Sequence, residues 1–297
     1  MKSGIIVIKK EKGITSQGVV SRVKRLFGEK KAGHTGTLDP LATGVLPVLL
    51  GRGVKASEYM LSSDKHYRAE LLLGTVTDTE DITGTVLRTS EDIPDEARVL
   101  SVIEGFIGES LQTPPMYSAL KVGGEKLCDL ARQGVTVERE ARRITIHSLE
   151  AERISDRVYS LNVHCSKGTY IRTLCADIGE ALGCGGTMQA LERTRASVFT
   201  LEDAYTLGEL EAMSEGEREA LIIPTERVFD NLTRVALPPF FARLARCGVE
   251  IYLKKLGREL PTGQRVTLYD GDSFFALGEV REFPDGAAIK PIKQFDV

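Results

Sequence analysis

Gly33-His34-Thr35-Gly36-Thr37-Leu38-Asp39-Pro40-Leu41-Ala42-Thr43-Gly44 is the stretch on which the reading of this chain turns. Three glycines, three threonines and a proline mark it as a loop, and its only ionisable groups are His34 and Asp39. Loops on a rigid scaffold carry chemistry more often than cores do. A lone carboxylate in a loop with so little other charge is therefore the first candidate for a catalytic group. The plainer reading of Asp39-Pro40, on pattern alone, is a turn.

Outward from the loop, Ile5-Ile6-Val7-Ile8 reads as a strand and Glu11-Lys12-Gly13 as a turn. Thr15 or Ser16 can N-cap a helix to about Phe27, with Val19, Val20, Val23 and Leu26 on one face. Residues 45–50 form a buried segment. Residues 68–76 alternate as a strand, with 83–89 as the expected partner across Asp78-Thr79-Glu80-Asp81. That acidic turn lacks the ligand spacing of an EF-hand. Residues 94–106 carry apolar side chains at helical spacing. The run 113–121, with Pro114 and Pro115, reads as an ordered stalk that opens into a mobile tip at Gly123-Gly124. Lys121, Lys126, Arg132, Arg139, Arg142 and Arg143 cluster in and after it. Strands are expected at 144–154 and 159–165, and a helix at 173–182 stopped by Gly183. Composition shifts near Asn231, and 235–297 reads as a small β-rich domain of short strands and Gly turns.

At 297 residues, 42% hydrophobic and 27% charged, the chain has the composition of a soluble globular protein with one large domain and one small one. No apolar run is long enough to cross a bilayer, and the N-terminus shows no signal-peptide core, so a cytoplasmic location is expected. The five cysteines (128, 165, 175, 184 and 247) include no Cys-x-x-Cys pair, which points to a reduced protein without structural zinc. His34, His66, His147 and His164 lack metal-ligand spacing. There is no P-loop, no G-x-G-x-x-G and no G-x-S-x-G.

A net charge of −3 argues mildly against nucleic acid. Residues 1–70, however, hold thirteen Lys/Arg against six Asp/Glu, and residues 200–226 hold one Arg against eight Asp/Glu. An acidic segment can thus hide a basic face in the sum, although solvated surface remains the plain alternative. Two further segments could join Asp39: Lys65-His66-Tyr67-Arg68 and Ser166-Lys167-Gly168-Thr169-Tyr170-Ile171-Arg172. A tyrosine can stack on a base, and an arginine can hold a carboxylate ionised. Taken singly, each has a bland reading as a core tyrosine or a surface ion pair.

Read together, these segments resemble the TruB family of tRNA pseudouridine synthases, which make pseudouridine-55 in the T-loop. Residues 32–44 resemble its catalytic motif, Lys65-His66-Tyr67-Arg68-Ala69 its second motif, and residues 74–84 its Thr-Asp-Thr hairpin. Residues 112–121 resemble its Pro-Pro-x-Tyr-Ser-Ala-x-Lys segment, and Ala131-Arg132-Gln133-Gly134 follows as in the family. Residues 165–172 resemble its last core motif, and Leu191-Glu192-Arg193-Thr194 a pocket wall. The chain departs from the family at Lys9-Lys10-Glu11-Lys12-Gly13, where Asp-Lys-Pro-x-Gly is usual. Cys128 and Glu192 also replace an aromatic and a basic residue.

The resemblance implies a mixed α/β (α+β) fold, the pseudouridine synthase fold, around a bent and mainly antiparallel sheet. It implies a catalytic domain over 1–230, a thumb-like insertion at about 114–143 and a PUA-type RNA-binding domain over 231–297. Asp39 would be the nucleophile, paired with Arg172. Tyr67 would stack on the uracil and take the C5 proton. Tyr170 and Leu191 would line the base pocket, and His34 would fill the gap left by the flipped base. Lys10 would lie near the site, and Asp81 would join the polar network. The substrate would be the T-arm and T-loop of tRNA. No cofactor, no metal, no membrane and no protein partner is expected, and the protein would be a monomer. The alternatives are a tRNA chaperone that needs no chemistry and the catalytic subunit of a guide-RNA particle.

Overall fold

Ile5, Ile6, Val7 and Ile8 are all buried because the strand Gly4–Lys10 is covered on both faces. Ile6 and Ile8 share a core with Val19, Val20, Val23 and Phe27 of the helix Ser16–Phe27. Ile5 and Val7 share another with Phe199, Val228 and Phe229. A continuous apolar run is what such a doubly covered strand requires. The computed structural model describes residues 2–295.

Among the described residues, nine strands make one mixed sheet. Its main order is Gly4–Lys10, Thr43–Leu50, Gly186–Ala196, Lys65–Leu73, Val158–Cys165, Arg142–Arg153 and Gly108–Gln112. Ala32–His34 pairs with Thr43–Leu50, and Phe199–Thr200 with Gly186–Ala196. The pairings are antiparallel except where Glu192 and Arg193 run parallel to Thr43 and Gly44. Mixed α+β architecture with a mainly antiparallel sheet is therefore the fold class.

Helix ends follow local chemistry. Thr15 accepts from Gly18 N at 3.0 Å, and Gly28 closes the first helix in the left-handed region at φ 64°. Asp95 caps Glu96–Glu104, and Gly183 ends Ile171–Leu182.

Two expectations need correction. Lys65–Leu73 does not pair with residues 83–89; its neighbours are Val158–Cys165 and Gly186–Ala196. The chain turns away at Gly74 (φ 79°), and Thr75–Thr77 forms a separate hairpin with Val86–Thr89. Second, the β-rich tail also contains the helix Pro239–Arg246. The sheet's interior strand Gly186–Ala196, which the sequence did not mark, has no apolar alternation, since Thr187 and Arg193 are among its buried residues.

The tail carries its own five-stranded sheet, Thr233–Leu237, Arg265–Asp270, Ser273–Phe283, Gly286–Gln294 and Ile251–Tyr252 in spatial order, over its own core. It meets the large sheet through Phe229, Phe274 and Phe295, whose ring centroids lie 5.2–6.0 Å apart. In the basic segment, Gly123 and Gly124 both have positive φ and form a two-residue turn joining Lys121–Val122 to Glu125–Lys126.

Candidate active site

The loop that carries Asp39 is tied down on every side. Leu38 and Leu41 flank Asp39-Pro40 and sink into the core, and Ala42 is fully buried. Ser16 Oγ both accepts from Leu38 N at 2.8 Å and donates to Leu38 O at 2.9 Å. Gly13 N donates to Pro40 O at 2.8 Å. Lys10, 1% exposed, lies beneath the loop and donates from Nζ to Glu11 O, Pro40 O and Ala42 O. Burial pulls its ammonium down to about 8, against the raising field of Asp39. With its hydrophobic flanks anchored, the short acidic side chain between them is the part left facing the cleft.

Arg172 meets that carboxylate. Its Nε lies 3.0 Å from Asp39 Oδ2. Its other nitrogens donate to Thr79 O at 2.9 Å and Tyr117 O at 2.8 Å, and Asp81 Oδ2 lies 3.7 Å from Nη1. These partners come from three distant segments, so the guanidinium is both buried and fixed in direction. Burial raises the Asp39 carboxyl above its ordinary value. Arg172 is the largest opposing influence, with Asp81 adding to the rise and Lys10 opposing it.

The helix Ile171–Leu182 sets Arg172 in place from its start. Gln112 locks the preceding residue by accepting from Tyr170 N at 2.8 Å and donating to Tyr170 O at 3.1 Å. Thr173 donates to the Glu80 carboxylate at 2.6 Å, which fastens the acidic hairpin to the same helix. Asp81 accepts from Thr79 Oγ1, Thr83 N and Thr83 Oγ1 within its own turn.

Asp39, Tyr67, Tyr170, Arg172 and Leu191 line one cavity of about 360 Å³. Of the other residues marked in the sequence, Lys10 supports the loop from below. His34 sits half-buried at the end of Ala32–His34, with Nδ1 buried and without a partner. Burial, then the charge of Arg193, lowers the His34 imidazole. Burial raises the Tyr67 phenol, while the Arg193 guanidinium beside it pulls it down. At rest Tyr67 is therefore a protonated hydrogen-bonding group.

Arg193 is the residue that the sequence reading passed over as part of a wall. It is 1% exposed and donates to Val45 O at 2.8 Å and Gly36 O at 3.1 Å. Gly44, at φ 98°, packs so closely on it that a Cβ would fall 2.3 Å from Arg193 O. Its charge reaches Lys10, His34, Lys65 and Tyr67. Its inward alternation with Leu191 was the available signal, usable only once Gly186–Ala196 is recognised as a strand.

Residues 24–171 match the model described as TruB family pseudouridylate synthase (N terminal domain), and residues 172–230 match tRNA pseudouridylate synthase B C-terminal domain. The chain is 42% identical over 279 residues to the tRNA pseudouridine synthase B of Clostridium tetani, covering 93% of this chain and 95% of the relative. It is 45% identical over 283 residues to the protein of that name from Alkaliphilus oremlandii, covering 94% and 93%. Among solved structures, a Cbf5-Nop10-Gar1 complex contains a chain similar to this one, with a TM-score of 0.71 and 27% identity. That similarity covers 99% of this chain and 85% of the other.

Proposed function

Because this chain belongs to the TruB family of pseudouridylate synthases, we propose that its cleft isomerises uridine-55 in the T-loop of tRNA, with Asp39 as the nucleophile. Conversion of uridine to pseudouridine in tRNA is the activity of the chain. The observation that carries the residue assignment is the Asp39–Arg172 pair at 3.0 Å, opening into a cavity walled by Tyr67, Tyr170 and Leu191.

A uridine inside a folded loop must leave its stack first, at about a few kcal/mol. The cavity has room for a base and its sugar. His34, with its unpartnered Nδ1, fills the vacancy in the RNA and offsets part of that cost. Asp39, kept ionised by Arg172, attacks the bound nucleoside. The N1–C1′ bond breaks, the uracil turns while Tyr67, Tyr170 and Leu191 confine it, and C5 bonds to C1′. As C5 bonds to C1′ the bond to Asp39 is released and the C5 proton moves to N1 of the ring; the Tyr67 hydroxyl, protonated at rest, relays it by accepting that proton as it gives up its own. Lys10 acts through the loop by holding the Pro40 and Ala42 carbonyls. Residues 114–143 grip the T-loop with their basic side chains, and residues 231–297 serve as a PUA-type RNA-binding domain on the catalytic domain 1–230. The protein works as a monomer without a protein partner.

Asp39→Asn tests the assignment with a tRNA transcript. Pseudouridine formation is lost while tRNA binding is kept; full isomerisation by the variant removes Asp39 from its role. Melting supplies a second readout. Burial raises the folded-state titration of Asp39, so its ionised form opposes folding at neutral pH. The variant is expected to be at least as stable as the parent near pH 7, with the gap closing as pH falls through the Asp39 titration.

A further inference from the structure

Three of the four histidines come together on the sheet, away from the cavity that holds Asp39. His66 and His164 are cross-strand partners whose rings stack at 4.0 Å, and the His147 ring lies 4.5 Å from that of His164. Asp64, at the turn before Lys65–Leu73, completes the group. Its Oδ2 is 3.3 Å from His147 Nε2 and 3.7 Å from His164 Nε2.

We propose that Asp64, His147 and His164 form a binding site for a divalent late transition metal of the zinc class. The first argument is geometric. Ligands at zinc-like bond lengths of about 2.0–2.2 Å stand about 3.3–3.6 Å apart along a tetrahedral edge. The two nitrogen–oxygen separations lie at and just beyond that edge, and the ligand atoms of the three residues all fall within 4.8 Å of one another. The longer separation is too great for a hydrogen bond, so a single metal would satisfy all three groups better than their direct contacts do.

The second argument comes from the backbone. The register between Arg142–Arg153 and Val158–Cys165 shifts between Ile146 and Ser148, which makes His147 the bulged residue. Bulges re-aim side chains, and this one brings His147 alongside His164. Regular alternation would have put Ile146 and His147 on opposite faces, but gives no reason for His147 to meet Asp64.

The ligand chemistry selects the metal. Two imidazoles and one carboxylate suit zinc, cobalt and nickel, whereas magnesium and calcium favour oxygen alone. Asp64 and His164 border an open cavity of about 520 Å³, which leaves room for water to complete the coordination. Arg195 borders it too, and its charge opposes a cation there. A bound metal would tie the turn before Lys65–Leu73 to the two strands beside it.

Titration of the purified, untagged full chain with Co²⁺ tests the proposal through its visible absorption. The expected result is one equivalent bound with nitrogen and oxygen ligation, no thiolate charge-transfer band, and displacement by Zn²⁺. His147→Ala and Asp64→Asn, both at exposed positions, each weaken binding by at least about tenfold, the scale seen when even the shell behind metal ligands is altered. Zn²⁺ raises the melting temperature of the parent but not of these variants. Absence of Co²⁺ binding, a thiolate band, or unchanged affinity in both variants overturns the proposal.

Discussion

Replacing Arg172 with methionine should uncouple the two jobs of this side chain, holding the fold and keeping Asp39 ionised. The guanidinium, 4% exposed, has Asp39 at 3.0 Å, Asp81 at 3.7 Å and the carbonyls of Thr79 and Tyr117 at 2.9 and 2.8 Å. Its removal strands two carbonyls, at about 1 kcal/mol each where water can reach them. It also leaves Asp81 buried without its cation. The Asp39 carboxylate is 37% exposed and regains some hydration, so its share is small. The total is about 3–5 kcal/mol, the range for breaking a buried pair from one side. At about 2–4 °C per kcal/mol, the melting temperature falls by roughly 6–20 °C. Arg172→Lys keeps the charge but cannot reach every partner, and should lose about a third of that stability.

The effect on chemistry has a sign of its own. Burial raises Asp39, and Arg172 is the main influence that lowers it. Without Arg172 the carboxyl rises further, so the acidic limb of the rate profile moves to higher pH. Single-turnover pseudouridine formation from about pH 5 to 9 reads this directly, alongside urea denaturation. At neutral pH the lysine variant should be slower by about a hundredfold through misplacement of Asp39. An Arg172→Met protein with an unshifted acidic limb would refute the claim that Arg172 sets the ionisation of Asp39.

Lys10 gives a basic-side prediction. It titrates at about 8 in the folded chain against an ordinary 10.5, so between those values the unfolded chain binds the extra proton and the Lys10 contribution to stability rises with pH. The parent-minus-Lys10→Met difference in unfolding free energy should therefore climb across that window, and a flat difference would contradict the burial argument. Gly44→Ala puts a methyl group against the Arg193 backbone at a positive φ. It should cost about 1–3 kcal/mol or more and lower activity by shifting Arg193; denaturation at the parental midpoint would refute this. For the basic segment, tRNA affinity should fall linearly with salt on logarithmic axes. Reversing Lys121 and Lys126 should flatten that slope by about two, and a slope that does not change would place the RNA elsewhere.

Local signals made much of the fold legible. The caps at Thr15 and Gly183, the apolar run at Ile5–Ile8 and the strands near 144–165 follow from periodicity and backbone preference over a few residues. What stayed hidden involved polar residues used as core. Gly186–Ala196 was missed because Thr187 and Arg193 occupy inward positions, which erases the alternation that marks a half-buried strand. The pairing of 68–76 with 83–89 holds only at Thr75 and Val76, because Gly74 ends one strand and starts a different hairpin, and sequence proximity does not reveal that.

By itself, the sequence determined which loop is the candidate for chemistry and the order of its companions. Asp39, Tyr67, Tyr170, Arg172 and Leu191 each lie in a short contiguous motif, and the glycines, proline and threonines around Asp39 have local backbone reasons to be there. Only the tertiary structure decided how those residues are supported. Lys10 became a clamp under the loop and Arg193 a buried cation between Gly36, Val45 and Tyr67, and a bulge set His147 beside Asp64 and His164. The physical reason is the same in each case. A buried polar group must find partners, and in this sheet those partners come from strands far apart along the chain.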